Sequence, residues 1–261
     1  KQISASDVAY VVPRRNWTNS TTYDMYEHDI SSSNTTTSGA TNLYDSTFFF
    51  MTSEYRVYKV LDNNNGTAYS GVEPTSTSST PFELGGYTLQ YMYTLSTSDI
   101  QKFVTNDFIP VVTDTTVSGD ATDGAIDTVR VTAGSGYSDT NGTDGSGGAG
   151  GIYYSPVRGD GTGGIVQIVV SGGAISAQGS AGTNMFAGGT GYTFGTVDLT
   201  NVYSDSSLNT AVNIGSGIGG AVVPIISPKG GHGFDAVAEL GGHYVMMNTK
   251  LEQAEGDDVT V

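Results

Sequence analysis

Apolar and polar residues alternate with a period of two along much of this chain, in short runs separated by Gly, Asn, Ser and Thr. In "TFFFMTSEYRVYKVLD" (47–62), Tyr55, Val57 and Lys59 fall on one face and Arg56, Tyr58 and Val60 on the other, which predicts one long strand. It runs into "DNNNGT", a hairpin-type turn rich in Asn and Gly. "GGYTLQYMYTLS" (85–96) predicts a second strand, aromatic and β-branched after a double glycine. In "STSDIQKFVTNDF" the period changes. Ser98 or Asp99 can cap a short helix on which Ile100, Phe103 and Val104 are helically spaced.

Beyond residue 113 the texture shifts to Gly, Ser, Thr and Asp. Two segments echo one another, "IDTVRVTAGSGYSD" (126–139) and "NMFAGGTGYTFGTVDL" (184–199), each pairing an alternating strand with an A-G-x-G-Y or A-G-G-x-G-Y turn. Between them "GGIVQIVVSGGAISAQG" reads as strand, two-residue glycine turn, strand. Strand-length apolar runs keep recurring, which favours a duplicated β-meander over a disordered low-complexity stretch. From 222 the first texture returns in "AVVPIIS" and "GGHYVMMNTKLEQ". The expected architecture is mainly β: a β-sandwich domain from 1–113 plus 222–261, an inserted Gly-rich β module at 114–221, and one or two short helices. The chain starts at Lys1, and "EGDDVTV" at its end reads like the beginning of a strand, which together suggest a segment of a longer polypeptide.

Composition narrows the function. At 261 residues the chain can bury a sizeable core, with 16 Tyr and 9 Phe to fill it. Gly numbers 37, about twice usual usage, while charged residues are 14% against roughly 25%. A Ser/Thr/Asn/Gly surface suits an extracellular or virion β protein better than a helical cytosolic enzyme. The net charge is −16, and no basic cluster exceeds Arg14-Arg15, so nucleic acid and anionic membranes are poor partners. No apolar run approaches the ~20 residues of a membrane span. Cysteine is absent, which removes thiol chemistry and argues against a disulfide-stapled secreted domain. Five Asn-x-Ser/Thr sequons (Asn16, Asn19, Asn34, Asn65, Asn141) are what a chain this rich in Asn, Ser and Thr produces by chance.

The strongest chemical candidate is "PKGGHGFDAVAELGGHYVMM" (228–247), which holds two of the three histidines. On one continuous helix His232, Asp235, Glu239 and His243 would share a face and could hold a metal. Gly241-Gly242 interrupts that helix, so "FDAVAEL" is better read as a short helix with Asp235 near its N-terminus and the glycines ending it. His243 then begins a strand, out of register with His232. That makes the stretch a structural elbow and leaves no metal site. "GSGIGG" (215–220) matches a dinucleotide fingerprint in Gly215, Gly217 and Gly220, but "AVVPII" follows instead of a helix, so it reads as a turn between strands. "SDTNGTDGSGG" has Asp139, Asn141 and Asp144 one residue off calcium-loop spacing and no closing Glu. No G-x-S-x-G elbow occurs, and "RGD" (158–160) is short enough to arise by chance. No cofactor and no catalytic constellation is expected.

The ordered phrases "AYVVPRRNW" (9–17), "YRVYKVLDNNNG" (55–66), "EPTS" (73–76) and "GGYTLQYMYTLSTSDIQKFVTNDFIPV" (85–111) resemble the smaller dimeric β-sandwich wedge subunit in the baseplate of T-even-like contractile-tailed phages. In that family V-x-P-R-R-x-W precedes a strand ending Y-R-x-x-x-x-L-D, followed by G-Y-x-x-x-Y-x-Y/F. The block covers roughly 100 residues, and "PKGGHG…AELGGHYVMMNTKLE" looks like the cyanophage form. The family's usual N-terminal segment and closing strands are missing from this sequence, and the Gly-rich insert departs from its enterobacterial members. The resemblance implies a non-enzymatic virion component, assembled in the host cytoplasm, that pairs as a homodimer, links wedge neighbours and takes part in the baseplate's change of shape. Arg14, Arg15 and Trp17 are then candidate interface residues, with Trp17 in the core of the first sheet as the equal alternative. A competing expectation is a trimeric glycan-binding adhesin with an exposed platform drawn from Tyr153, Tyr154, Tyr192 or Phe194. A polysaccharide-degrading tailspike, with paired carboxylates, is the other.

Overall fold

The computed structural model describes residues 3–179 and 181–249; the expected closing strand at "EGDDVTV" lies outside them. The fold is mainly β, and every ladder between its strands is antiparallel.

The first part of the chain builds a four-stranded sheet in the order Phe49–Met51, Arg56–Asp62, Tyr87–Thr94, Phe82–Leu84. The single strand expected over 47–62 is two. Thr52–Tyr55 turns the chain, with Tyr55 at φ 57°, and pairs Phe49 with Lys59. The exposed Ser53 and Glu54 sit at the bend, where polar groups can stay in water. The two faces of the second strand do not divide into a buried and an exposed side. From Val57 to Asp62 every side chain is buried, because the aromatic core covers one face and later segments cover the other. Nor does "DNNNGT" close a hairpin. Asn64, Asn65 and Gly66 turn at positive φ, but a loop intervenes and the strand pairs with Tyr87–Thr94.

A three-stranded sheet, Tyr244–Met247, Val8–Pro13 and Phe108–Pro110, shares that core through Val12 and Ile109. The core is aromatic-rich: Tyr23 and Phe50 lie 4.7 Å apart by ring centroids, and Tyr69 and Tyr87 5.3 Å.

Among the described residues three short α-helices form, against the one or two expected. In α1 (Thr97–Phe103) the cap is Ser96, outside the pair proposed from the sequence, and Asp99 completes a capping box from the third helical position. α2 (Thr115–Asp120) went unpredicted because Val117 is its one large apolar residue; Asp114 caps it. α3 (Ala236–Leu240) follows the reading from sequence. Asp235 caps its start, and Gly241 ends it at φ 75°, a left-handed position that favours glycine.

A second hydrophobic cluster is drawn entirely from 126–226. The strand Ala221–Ile226 sits in both cores, giving Ile225 to the first and Val222 and Ile226 to the second, while it pairs along its whole length with Ile126–Thr132. Within this region Thr162–Ser171, the Gly172-Gly173 turn and Ala174–Ile175 appear as the sequence predicts. The two echoed motifs are also physically equivalent. Tyr137 and Tyr192 are both buried, and each hydroxyl accepts an N–H from a facing glycine, Gly220 in the turn before Ala221–Ile226 at 3.0 Å and Gly164 in the strand Thr162–Ser171 at 3.1 Å. Each ring lies where a Cβ on Gly217 or Gly161 would have to go. "GSGIGG" needs correcting: Gly215–Ile218 is itself a strand, paired with Ser135–Tyr137, and only its last two glycines turn.

Candidate functional site

The elbow at 228–243 folds back on itself, and the reason is local. Its glycines Gly230, Gly231 and Gly233 all take positive φ, so the chain can reverse before α3 begins. Glu239, on the inner face of α3, then accepts the backbone N–H of Gly233 on both carboxylate oxygens (2.8 and 3.1 Å) and that of Asp235 on Oε1 (3.2 Å). The turn is thereby stitched to its own helix.

Onto this elbow comes Lys59, from the middle of a central strand. Its Nζ lies 2.6 Å from Glu239 Oε2 and 2.7 Å from His232 Nδ1, and 4.1 Å from the centroid of the Tyr26 ring. The side chains of Lys59 and Glu239 are 0% and 2% exposed. His232 stands edge-on to Tyr26 and points its Nε2 at Asp127 Oδ2, 3.5 Å away. Asp127 enters from the strand Ile126–Thr132 and keeps 27% of its side chain at the surface, making it the one member with an edge to solvent.

Desolvation governs the protonation of the group. Burial lowers the Lys59 ammonium, with the Glu239 charge opposing it. Burial, then the Lys59 charge, holds His232 well below its ordinary value, so its Nδ1 is a neutral acceptor toward Lys59. Burial raises Asp127, and the Lys59 charge opposes that shift. The result is a chain of nucleophile, base and carboxylate, Lys59–His232–Asp127, beside a carboxyl group whose Oε1 faces two backbone donors.

Of the residues proposed from the sequence, the structure brings His232 and Glu239 together and sends the others elsewhere. Asp235 is committed to the cap of α3, and His243 stacks edge-on against Tyr44 at 5.0 Å on the exposed side of the elbow. Among the described residues no group of three His, Cys, Asp or Glu could hold a metal ion. Lys59 and Asp127 were missed. Sequence spacing offers no signal for a partner 180 residues away.

Arg14, Arg15 and Trp17 part company. Arg14 bonds Asn16 and the Thr105 carbonyl, and with Trp17 and Glu73 it lines a groove of about 260 Å³. Arg15 turns the other way, over the Phe49 ring at 4.6 Å and onto the Tyr44 carbonyl at 3.1 Å. Trp17 packs edge-on against the buried Tyr69 at 5.9 Å, and its Nε1 is buried without a partner. A cleft of about 650 Å³ lies elsewhere, lined by Asp62, Glu83 and Gln178 among others. Lys59, His232 and Glu239 line none of these openings.

The aromatic platform expected for an adhesin is half wrong. Tyr153 and Tyr192 are buried in the second core. Tyr154 remains half-exposed, edge-on to Phe186 at 5.4 Å, and Phe194 is exposed. Asp144 of the near-calcium loop spends one carboxylate oxygen on the N–H groups of Ser146 and Gly148, closing its own turn. No helix among the described residues is long and apolar enough to cross a membrane.

In comparisons with known proteins, the chain matches no family model, no curated protein and no solved structure.

Proposed function

We propose that the chain is a structural subunit of a phage tail baseplate wedge, working by contact with neighbouring subunits. The observation that carries this reading is where the chain keeps its reactive groups. Among the described residues, the nucleophile–base–carboxylate cluster packs between strand and elbow with Lys59 and Glu239 0% and 2% exposed, which supports a reading in which its polar chemistry serves the fold. The ordered phrases that resemble the wedge family support the same reading: three of the four include strands or the helix that pack in the first core, and "EPTS" lies in a loop. An assembly role is further supported by an exposed apolar face on the three-stranded sheet. Val8 pairs with Met247 and Tyr10 with Val245 there, all four exposed. On this proposal the partners are a second copy and other wedge subunits, the location is the virion tail, and Arg14 and Trp17 offer a rim of mixed charge and ring surface to a neighbour.

The second reading, a glycan-binding tail adhesin, is favoured by Tyr154 and Phe186 standing outward beside Gln167. Light scattering coupled to size exclusion separates the two. A dimer of the 27.1 kDa chain is expected for the wedge subunit, and Tyr10→Glu should weaken it. A trimer would overturn the wedge reading in favour of the adhesin.

A further inference from the structure

The geometry points to a covalent modification built into the fold: we propose that Lys59 and Glu239 join in an intramolecular amide cross-link, formed by the chain itself with loss of water.

Four features of the cluster carry this. Nζ of Lys59 already touches the carboxyl group it would attack, at 2.6 Å from Oε2. Two reactive groups held at contact distance in a fixed orientation have most of the entropic barrier to bond formation removed. His232 Nδ1 sits 2.7 Å from Nζ, in place to take a proton, and Asp127 on its far nitrogen steadies the imidazolium that results. Gly233 and Asp235 aim their N–H groups at Oε1, where negative charge would collect in a tetrahedral intermediate. Finally, the reacting side chains are 0% and 2% exposed, so bulk water cannot reach the product to hydrolyse it.

The step balances without any outside reagent. The ammonium proton of Lys59 passes along the short hydrogen bond to Glu239 Oε2, leaving a neutral amine and a carboxylic acid. The Nζ lone pair forms a bond to the Glu239 carboxyl carbon, and the C–O π electrons move onto Oε1. His232 takes the second proton from Nζ and delivers it to the Oε2 hydroxyl, which leaves as water while the carbonyl reforms. In sum, one ammonium and one carboxylate become one secondary amide and one water. No oxidation state changes. In this scheme His232 is catalytic, and Asp127 is a positioning residue that acts through it.

The test is the mass of the full-length chain, folded and then denatured. The expected value lies about 18 Da below the sequence mass, with a tryptic species that joins the Lys59 and Glu239 peptides through an amide. Lys59→Met should restore the full sequence mass. Glu239→Gln should link with loss of ammonia, about 17 Da. Asp127→Asn should slow linkage after refolding and flatten its dependence on pH, a readout that a purely structural role would not move. A wild-type chain that resists protease, and so is folded, yet keeps its full sequence mass after prolonged incubation overturns the proposal.

Discussion

Lys59→Met, followed by Glu239→Gln in the same chain, tests how the buried cluster holds the fold. Met keeps most of the Lys59 stem and its packing but leaves the Glu239 carboxylate with no cation in a site where both side chains are almost wholly shielded from water. Removing one partner of such a pair costs about 3–5 kcal/mol, chiefly the penalty for the charge left behind. Gln at 239 keeps an acceptor for the N–H groups of Gly233 and Asp235 and removes the charge, so the double variant should recover about 3 kcal/mol of that loss. Loss of an amide cross-link would add about 5 kcal/mol for a closed loop of 180 residues, but it is common to both variants and cancels in their difference. Guanidinium titrations of the two variants, followed by far-UV circular dichroism, give that difference directly. A double variant no more stable than Lys59→Met, to within about 0.5 kcal/mol, would refute the claim that an uncompensated buried charge governs this site.

Four further outcomes follow from individual positions. Burial raises the Asp62 carboxyl above its ordinary value, with hydrogen bonds from Asn64 and Thr128 opposing; its favourable contribution is therefore present at low pH and lost as pH rises through the folded value. Asp62→Asn should accordingly raise the melting temperature at pH 7, and its advantage should shrink in acid. Gly124→Ala should cost more than about 2 kcal/mol, since φ is +63° and a Cβ would meet the Tyr192 backbone nitrogen at 2.2 Å. Gly39→Ala, at φ +86° with open space around it, should cost about 1 kcal/mol in a urea titration. Asp235→Ala removes the cap of α3 and should cost about 1 kcal/mol, with protection lost first at the Ala238 amide in hydrogen exchange.

The parts of this fold that were legible in the sequence are those specified by neighbours in the chain. α3 could be bounded in advance because Asp235 and Gly241 each act on a helix end within a few residues. The Gly172-Gly173 turn was readable for the same reason. The echo of Tyr137 and Tyr192 was visible as a motif, but its meaning, a ring laid over glycine backbone with a hydroxyl on a glycine N–H, needed strands that sequence order keeps apart. Turns without Gly or Pro were opaque. Thr52–Tyr55 bends through a left-handed tyrosine inside an otherwise continuous strand pattern, and alternation alone cannot flag that.

Lys59 shows why the site itself was illegible. Alternation in a half-buried strand assigns a lysine to the wet face, and lysine is among the residues least often fully buried. That inference fails because the strand Arg56–Asp62 is covered on both faces, and the second cover comes from residues at the other end of the chain. The stretch around His232 posed a choice between a turn-rich elbow and an acid/base centre, and the two readings describe one object. The glycines allow the reversal, the reversal turns Gly233 and Asp235 N–H groups onto Glu239, and a carboxylate oriented in that way is what makes a buried lysine tolerable opposite it. The charge then depends on the elbow, and the elbow on the charge. Because of that mutual dependence, the Gln substitution at 239 should rescue the loss at Lys59.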